Sequence, residues 1–170
     1  MLEARLSRKY NIKENLSVQH ILSCSVYNQA CDGGYAYLAL KFGNEINLVP
    51  ESCFPTEVKT INIKNITGDC NKRCDINKLD TTYKVSDYYY LGGSYGKCSE
   101  FLIMKEIYEK GPVVISFEPD YTFMLFKRGI YSSPKKSWID NKISTKPEWQ
   151  KVDHSVTAVG WGIVKFIKRL

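Results

Sequence analysis

The sequence predicts an α+β fold with two lobes. A mainly helical lobe with disulfide-held loops spans residues 1–111, and a partial β lobe spans 112–170. Apolar residues at helical spacing dominate the first two thirds of the chain, whereas short apolar strands dominate the last third. The length of 170 residues suits one domain made of two small lobes, and the sequence has no internal repeat.

Three helices are expected in or near the first 43 residues. "MLEARLSRKY" has helix-forming residues but no N-cap, as though a helix were already under way. Ser17 is the predicted N-cap of a short second helix, on which we expect His20 to be an exposed first-turn residue. A Gly-Gly turn then precedes a buried helix over 35–42, which Gly43 closes.

The middle of the chain is less regular. Residues 44–83 are rich in Pro, Asn, Lys and Cys without periodicity, which is typical of loops held by disulfides. "KVSDYYYLGG" predicts a short aromatic strand. Residues 99–110 predict a helix that a Gly-Pro pair ends, and its apolar face consists of Phe101, Met104 and Tyr108.

The last third carries the predicted strands. "VVISF" at 113–117 is a continuous apolar strand, and one helical turn follows from Tyr121. Residues 132–150 form a polar loop. "SVTAVGW" is then a buried strand, and His154 lies at its start.

Charge and composition exclude several classes of protein. The net charge of +6 is scattered among acidic residues, without the basic stripe that binding to nucleic acid requires. No apolar run reaches the roughly 18 residues of a membrane span, and the N-terminus has no signal-peptide pattern. We therefore expect neither a nucleic-acid partner nor a membrane span.

The cysteines indicate an oxidising compartment. Six cysteines in 170 residues suggest a disulfide framework, although spacing alone does not select the pairing. The sequons at Asn15 and Asn65 agree with the secretory pathway, in a lysosome-like, vacuole-like or extracellular location. A zinc site built from Cys70, Cys74 and a histidine is disfavoured, because no second pair of ligands stands at finger spacing.

His154 is the candidate for chemistry. It follows Asp153 at the start of a strand, where an imidazole can exchange a proton near neutral pH in a fixed position. A strand-end histidine that only meets solvent is the alternative. The residues taken by themselves favour that alternative.

Three stretches change this balance. "LSVQHILSC", "CDGGYAYL" and "KVDHSVTAVGWG", in this order, resemble the papain family of cysteine peptidases. The stretches "MLEAR", "ESCFP", "YYYLGGSYGKC", "EKGPVVISFEP" and "FKRGIY" resemble the cathepsin C, or dipeptidyl peptidase I, branch of that family. The resemblance runs from Met1 to about Gly162 and is interrupted at 132–150.

The resemblance implies catalysis by a thiolate paired with an imidazolium, with His154 as acid and base. The family's nucleophile lies in a Cys-Gly-Ser-Cys stretch just before the segment that "MLEAR" matches, and its orienting asparagine follows the histidine strand. The chain contains neither stretch and reads "IVKFIKRL" after Gly162. We therefore expect a fragment that is inactive alone, with a nearly complete helical lobe and a truncated β lobe.

The family also implies a binding site for peptide substrates. The Gly33-Gly34 backbone would bind an extended peptide, and the walls of the neighbouring pocket would be Tyr35, Ala36, Ser116, Val152 and Ser155. Tyr37 and Tyr90 match the tyrosines near a chloride ion in the cathepsin C branch; no metal or other cofactor is implied. Dipeptide specificity there depends on a separate exclusion domain, which these residues do not supply, nor do they supply the pro segment.

The implied roles of the cysteines follow the same resemblance. Cys24 pairs with Cys70, and Cys53 pairs with Cys74. Cys31 stays unpaired because its partner would lie in the Cys-Gly-Ser-Cys stretch. Cys98 precedes a helix, which can activate a thiol, but it matches a non-catalytic cysteine and is expected to be a free or buried thiol.

Two further hypotheses remain open. The chain could be a non-catalytic member of the family that uses the Gly33-Gly34 cleft only to bind peptides or a partner chain. It could also be a disulfide-held extracellular module without a cleft.

Overall fold

The computed structural model describes residues 1–56, 70, 74, 80–94, 96–132 and 152–163. Their elements, in chain order, are α1 (Leu2–Tyr10), α2 (Val18–Cys24), a 3-10 turn (Ala30–Asp32), α3 (Ala36–Glu45), α4 (Glu100–Lys110), β1 (Val113–Phe117), α5 (Tyr121–Met124) and β2 (His154–Ala158). The predicted α+β class is confirmed. Most of the predicted loop at 132–150, the Asn65 sequon and residues 164–170 lie outside the described residues.

Helix α2 begins at its predicted cap. The hydroxyl oxygen of Ser17 accepts the backbone N–H of His20 at 2.9 Å, and the same hydroxyl donates to the carbonyl of Phe54. Ser17 is 2% exposed. The cap therefore also attaches the start of α2 to a segment 37 residues further along the chain.

The prediction that His20 is exposed is wrong. Its side chain is buried, and its ring centroid lies 5.1 Å from that of Phe42 and 5.6 Å from that of Phe54. Its Nδ1 has no hydrogen-bond partner among the described residues. Because this burial removes water from the imidazole, it lowers the pKa of His20.

Most of the buried apolar side chains among the described residues form two small clusters that meet at Cys24, and Ile107 and Val113 are buried apart from them. The first contains Phe42, Leu48 and Val85, and the second contains Val49, Phe54 and Cys74. Gly43 does not close α3, which continues to Glu45. A side chain at Gly43 would come within 2.8 Å of Val85, so the glycine permits close packing here instead of ending the helix. Tyr35 is the N-cap residue of α3, although its side chain makes no capping hydrogen bond. The prediction that Tyr35 belongs to the buried part of this helix is wrong, because its side chain is exposed.

Two disulfides attach the irregular region to the helical part. Cys24 is bonded to Cys70 and Cys53 to Cys74, the two pairs that the family resemblance implies. Cys70 and Cys74 therefore have no thiolate available for zinc, which excludes the zinc alternative.

The predicted aromatic strand after Lys84 is wrong. The described residues of this stretch form no ladder, and the only bridge nearby joins Leu48 to Tyr83. Two of its aromatic side chains instead pack on the ring of Tyr37, which stacks on Tyr90 and meets Tyr88 edge-on.

Helix α4 lies where the sequence predicts, with the hydroxyl of Ser99 accepting the first-turn N–H of Leu102. Its buried face differs from the prediction. Phe101 and Tyr108 are exposed, whereas Glu106 and Ile107 are buried, because α1 contacts that side of the helix through Arg5. The spacing of apolar residues does not predict this orientation, because the charged Glu106 lies within the buried face.

The two predicted strands form an antiparallel pair. Val113 is opposite Ala158, and Phe117 is opposite His154. The prediction that β2 is a buried strand is wrong for the described residues, since only Ala158 at its end is partly covered. None of the described helices is long and apolar enough to cross a membrane.

Candidate active site

A cleft of about 1660 Å³ separates the β1–β2 pair from the helical part. Among the residues that line it are His154 and all the predicted substrate-binding residues: Gly33, Gly34, Tyr35, Ala36, Ser116, Val152 and Ser155. These residues come from three separate segments of the chain, at 33–36, 116 and 152–155. Because the described residues form a cleft, the hypothesis of a module without one is excluded.

His154 is fixed by its neighbours but remains exposed. As the first residue of β2 it pairs with Phe117, the last residue of β1. Its ring meets the Phe117 ring edge-on at 5.5 Å, and the Phe123 ring lies 6.2 Å away. Strand pairing therefore sets the backbone of His154, and two aromatic rings pack beside its imidazole, which lines the cleft.

The serines predicted to line the pocket face each other. Ser116 and Ser155 are partners in the strand register, and their hydroxyl oxygens lie 2.8 Å apart. This hydrogen bond crosses the strand pair one residue from His154, so it stabilises the strand end that carries the imidazole.

Asn28 shapes the Gly33-Gly34 edge, although it is not among the site residues that the sequence predicts. Its side-chain oxygen accepts the backbone N–H of Tyr35 at 2.8 Å, and its amide donates to Ser25 at 3.0 Å. A Cβ on Gly34 would lie 2.2 Å from that oxygen. Asn28 and Tyr35 are seven positions apart across an irregular turn, so no periodic sequence pattern predicts their contact.

Gly33 has a φ of 104°, in a region that favours glycine, and its carbonyl accepts the N–H of Gln29 at 3.0 Å. The two glycines therefore present a backbone edge without side chains to the cleft. Such an edge suits an extended peptide that binds through main-chain hydrogen bonds.

Tyr37 and Tyr90 also line the cleft, with stacked rings 4.7 Å apart. A phenol O–H is a donor that suits an anion, so the chemistry of these two side chains fits the implied chloride. The described residues contain no group of three His, Cys, Asp or Glu side chains placed to share a metal ion.

Cys31 and Cys98 are free and exposed. Cys98 lines the cleft, but it precedes the cap residue Ser99 and so lies outside the first turn of α4. Within the described ranges, no hydrogen bond joins either thiol to His154.

Comparison with known proteins adds three findings. Residues 1–168 match the profile of the papain family cysteine proteases. The chain is 31% identical over 167 residues to cathepsin C of Schistosoma mansoni, and 27% identical over 222 residues to dipeptidyl aminopeptidase 1 of Plasmodium falciparum. It is also 31% identical over 166 residues to a tubulointerstitial nephritis antigen-like protein of Mus musculus.

These matches cover 96%, 95% and 86% of the chain but only 34%, 31% and 33% of the three relatives. The chain thus spans about a third of their length. Among solved structures, a cysteine protease of Carica candamarcensis in complex with E-64 superposes with a TM-score of 0.65, covering 95% of this chain and 63% of the other. At 19% identity, this similarity concerns the fold alone.

Proposed function

Because the chain belongs to the papain family of cysteine peptidases, we propose that it is the histidine-bearing part of a cathepsin C-like peptidase. The observation that supports this proposal is the position of His154 in the same cleft as the Gly33-Gly34 edge. Substrate binding and proton transfer therefore have their residues around one space.

In the intact enzyme, His154 takes the proton of the cysteine nucleophile, which leaves a thiolate and an imidazolium. The thiolate attacks the peptide carbonyl carbon to form a C–S bond. The resulting oxyanion collapses, the C–N bond breaks, and His154 protonates the leaving amine. His154 then takes a proton from water as the water attacks the thioester, and the thiol leaves with that proton.

The substrate lies extended along the Gly33-Gly34 edge, where Gly34 binds the peptide main chain, because the N–H and carbonyl of Gly33 are bonded to Ala30 and Gln29. The neighbouring pocket receives a side chain between Tyr35, Ala36, Ser116, Val152 and Ser155. Tyr37 and Tyr90 hold a chloride through their hydroxyl groups. The lobes divide between residues 111 and 112, and the cleft lies between them.

Release of dipeptides from a substrate requires partner segments. An exclusion domain would capture the free amine of the substrate, and a pro segment is the other partner segment of the parent protein. The two disulfides and the relationship to cathepsins support a place in the secretory pathway, either in a lysosome-like compartment or outside the cell.

The 170-residue chain alone is inactive in this proposal, because His154 has no cysteine to activate. Purified chain incubated with a fluorogenic dipeptide substrate should release no fluorophore above the buffer rate. Turnover that disappears in a His154→Ala variant would show that one of the chain's own cysteines acts as nucleophile, and would refute this part of the proposal.

A chimera tests the function itself. The matched segment of Schistosoma mansoni cathepsin C is replaced by residues 1–162, so that the relative supplies the flanking segments. We expect dipeptide turnover that His154→Ala lowers by at least about a hundredfold, the lower range for removing a general base. A folded chimera with turnover that is independent of His154 would contradict the assignment.

A non-catalytic, peptide-binding member of the family is the second candidate. This candidate is supported by one relative at 31% identity, which is named for an antigen and not for a peptidase. The intact mass of the native product decides between the two. A product with a Cys-Gly-Ser-Cys stretch supports the peptidase, whereas a product without it supports the binding protein.

A further inference from the structure

The sequon at Asn15 has a place in the structure that the peptidase function does not use. Asn15, Leu16 and Ser17 lie at the end of the connection between α1 and α2, which spans residues 11–17. The Asn-X-Ser pattern is the acceptor for N-linked glycans in the secretory pathway. A pattern of three residues is common by chance, so the surroundings of its two functional side chains decide whether it can act.

The acceptor side chain is exposed while its backbone is fixed. The carbonyl of Asn15 accepts the N–H of Glu51 at 2.7 Å, and Leu16 forms an antiparallel bridge with Pro50. The Asn15 side chain remains exposed. The folded chain can therefore carry a glycan at Asn15 without moving its core.

The hydroxyl of the sequon is in the opposite situation. Ser17 is 2% exposed, caps α2, and donates its hydroxyl hydrogen to the Phe54 carbonyl. The neighbouring residue Cys53 is joined to Cys74, which keeps this segment in place. A transferase that must recognise the hydroxyl cannot reach it once Phe54 has docked.

We propose that Asn15 is an N-glycosylation site that is modified before Ser17 docks onto Phe54 during folding. The proposal rests on the secretory location proposed above, but it does not depend on peptidase activity. A glycan added at this stage remains on an exposed position, whereas the folded protein is no longer a substrate.

The reaction needs a lipid-linked oligosaccharide diphosphate as donor. The amide nitrogen of Asn15 forms a C–N bond with the first carbon of the sugar, and the C–O bond to the diphosphate breaks. The lipid diphosphate leaves with the bonding electron pair, and the amide loses one proton. No oxidation or reduction takes place.

The experiment compares three acceptors with one purified oligosaccharyltransferase and a lipid-linked oligosaccharide donor. They are the folded chain, the reduced and alkylated chain, and a synthetic peptide of residues 12–22. Both chains carry Asn65→Gln, which removes the second sequon, and the Asn15→Gln/Asn65→Gln chain is the matched control. Mass spectrometry after enzymatic deglycosylation in water enriched in heavy oxygen locates the modified asparagine, because its new carboxyl group retains the labelled oxygen.

We expect modification at Asn15 in the peptide and the unfolded chain, and a rate at least about tenfold lower in the folded chain, because its hydroxyl is exposed only on local opening. An unmodified unfolded chain beside a modified peptide would overturn the site, as would an unmodified peptide. Equal rates for folded and unfolded chains would overturn the proposed order. The peptidase proposal is unaffected by any of these results, since it is tested by turnover in the chimera.

Discussion

Arg5 of α1 donates to Glu106 of α4, with 3.0 Å between Nη1 and Oε1. The same guanidinium donates through Nε to the carbonyl of Pro112 at 2.9 Å and through Nη2 to that of Gly111 at 3.3 Å. One side chain therefore joins the first helix to the turn that leads into β1. Since β1 pairs with β2, Arg5 helps to position the strand that carries His154.

Burial acts to raise the pKa of Glu106, but hydrogen bonds from Tyr89 and Arg5 and the charge of Lys110 outweigh it, so the pKa lies below its usual value. The ionised carboxylate therefore stabilises the fold at neutral pH. This contribution is lost as the pH falls below 4.5 and through the lowered pKa of the folded state.

Replacing Arg5 by Met should lower the free energy of unfolding by about 2 kcal/mol at pH 7, because it leaves a buried carboxylate with fewer donors. Urea unfolding followed by circular dichroism measures the change. Lys105→Met is the matched control, since its pair with Glu109 is exposed at 3.9 Å and should contribute less than about 0.5 kcal/mol. Equal losses in both variants would show that Arg5 is only a surface residue.

His20 should make the fold less stable in acid. Burial lowers the pKa of His20 in the folded state. As the pH falls below the ordinary pKa of 6.5, the unfolded chain therefore binds the proton more readily than the folded protein does. Stability should fall as the pH drops from 7.5 to 5.0. His20→Leu removes this proton, so we expect a smaller difference between the urea midpoints at the two pH values. The same difference in both proteins would contradict the buried position of His20.

The thiol count should test the number of disulfides directly. After denaturation without reduction we expect two reactive thiols, Cys31 and Cys98, and six after reduction. The paired substitution Cys24→Ser/Cys70→Ser should cost about 4 kcal/mol of stability, because it opens a loop of 46 residues. Fewer than two thiols before reduction would refute this arrangement.

Gly34→Ala tests the edge that Asn28 shapes. The added methyl group would lie 2.2 Å from the Asn28 oxygen, so the turn must move at a cost of about 1–3 kcal/mol. Gly160→Ala, where no atom of the described residues lies within 4 Å, should change stability by less than about 0.5 kcal/mol. Unfolding curves give both values, and an unchanged Gly34→Ala curve would mean that Asn28 does not contact the turn.

Local patterns predicted the elements whose stabilisation is local. The Ser17 cap and the apolar run of β1 depend on residues within a few positions, and both are present. His20 depends on Phe54, which lies 34 positions away in an irregular segment. Its burial follows from a tertiary contact that no periodicity encodes.

The candidate site divides in the same way. The role proposed for His154 came from three stretches that resemble a family, since an imidazole at a strand end has no distinctive spacing of its own. Asn28 was missed because its partner is a backbone N–H across a turn. Aromatic residues are common in strands, which is why the stretch from Lys84 onward predicts one. In the structure Tyr88 and Tyr90 pack on Tyr37 instead.

The most direct test of the proposed role of His154 is the pH dependence of alkylation of the nucleophilic cysteine in the chimera, with and without His154. We predict rapid reaction with iodoacetamide below about pH 6, because the imidazolium stabilises the thiolate. In His154→Ala the reaction should become appreciable only as the pH approaches about 8.5, the value for a free thiol. Identical pH profiles in the two folded proteins would contradict the pairing of His154 with the nucleophile.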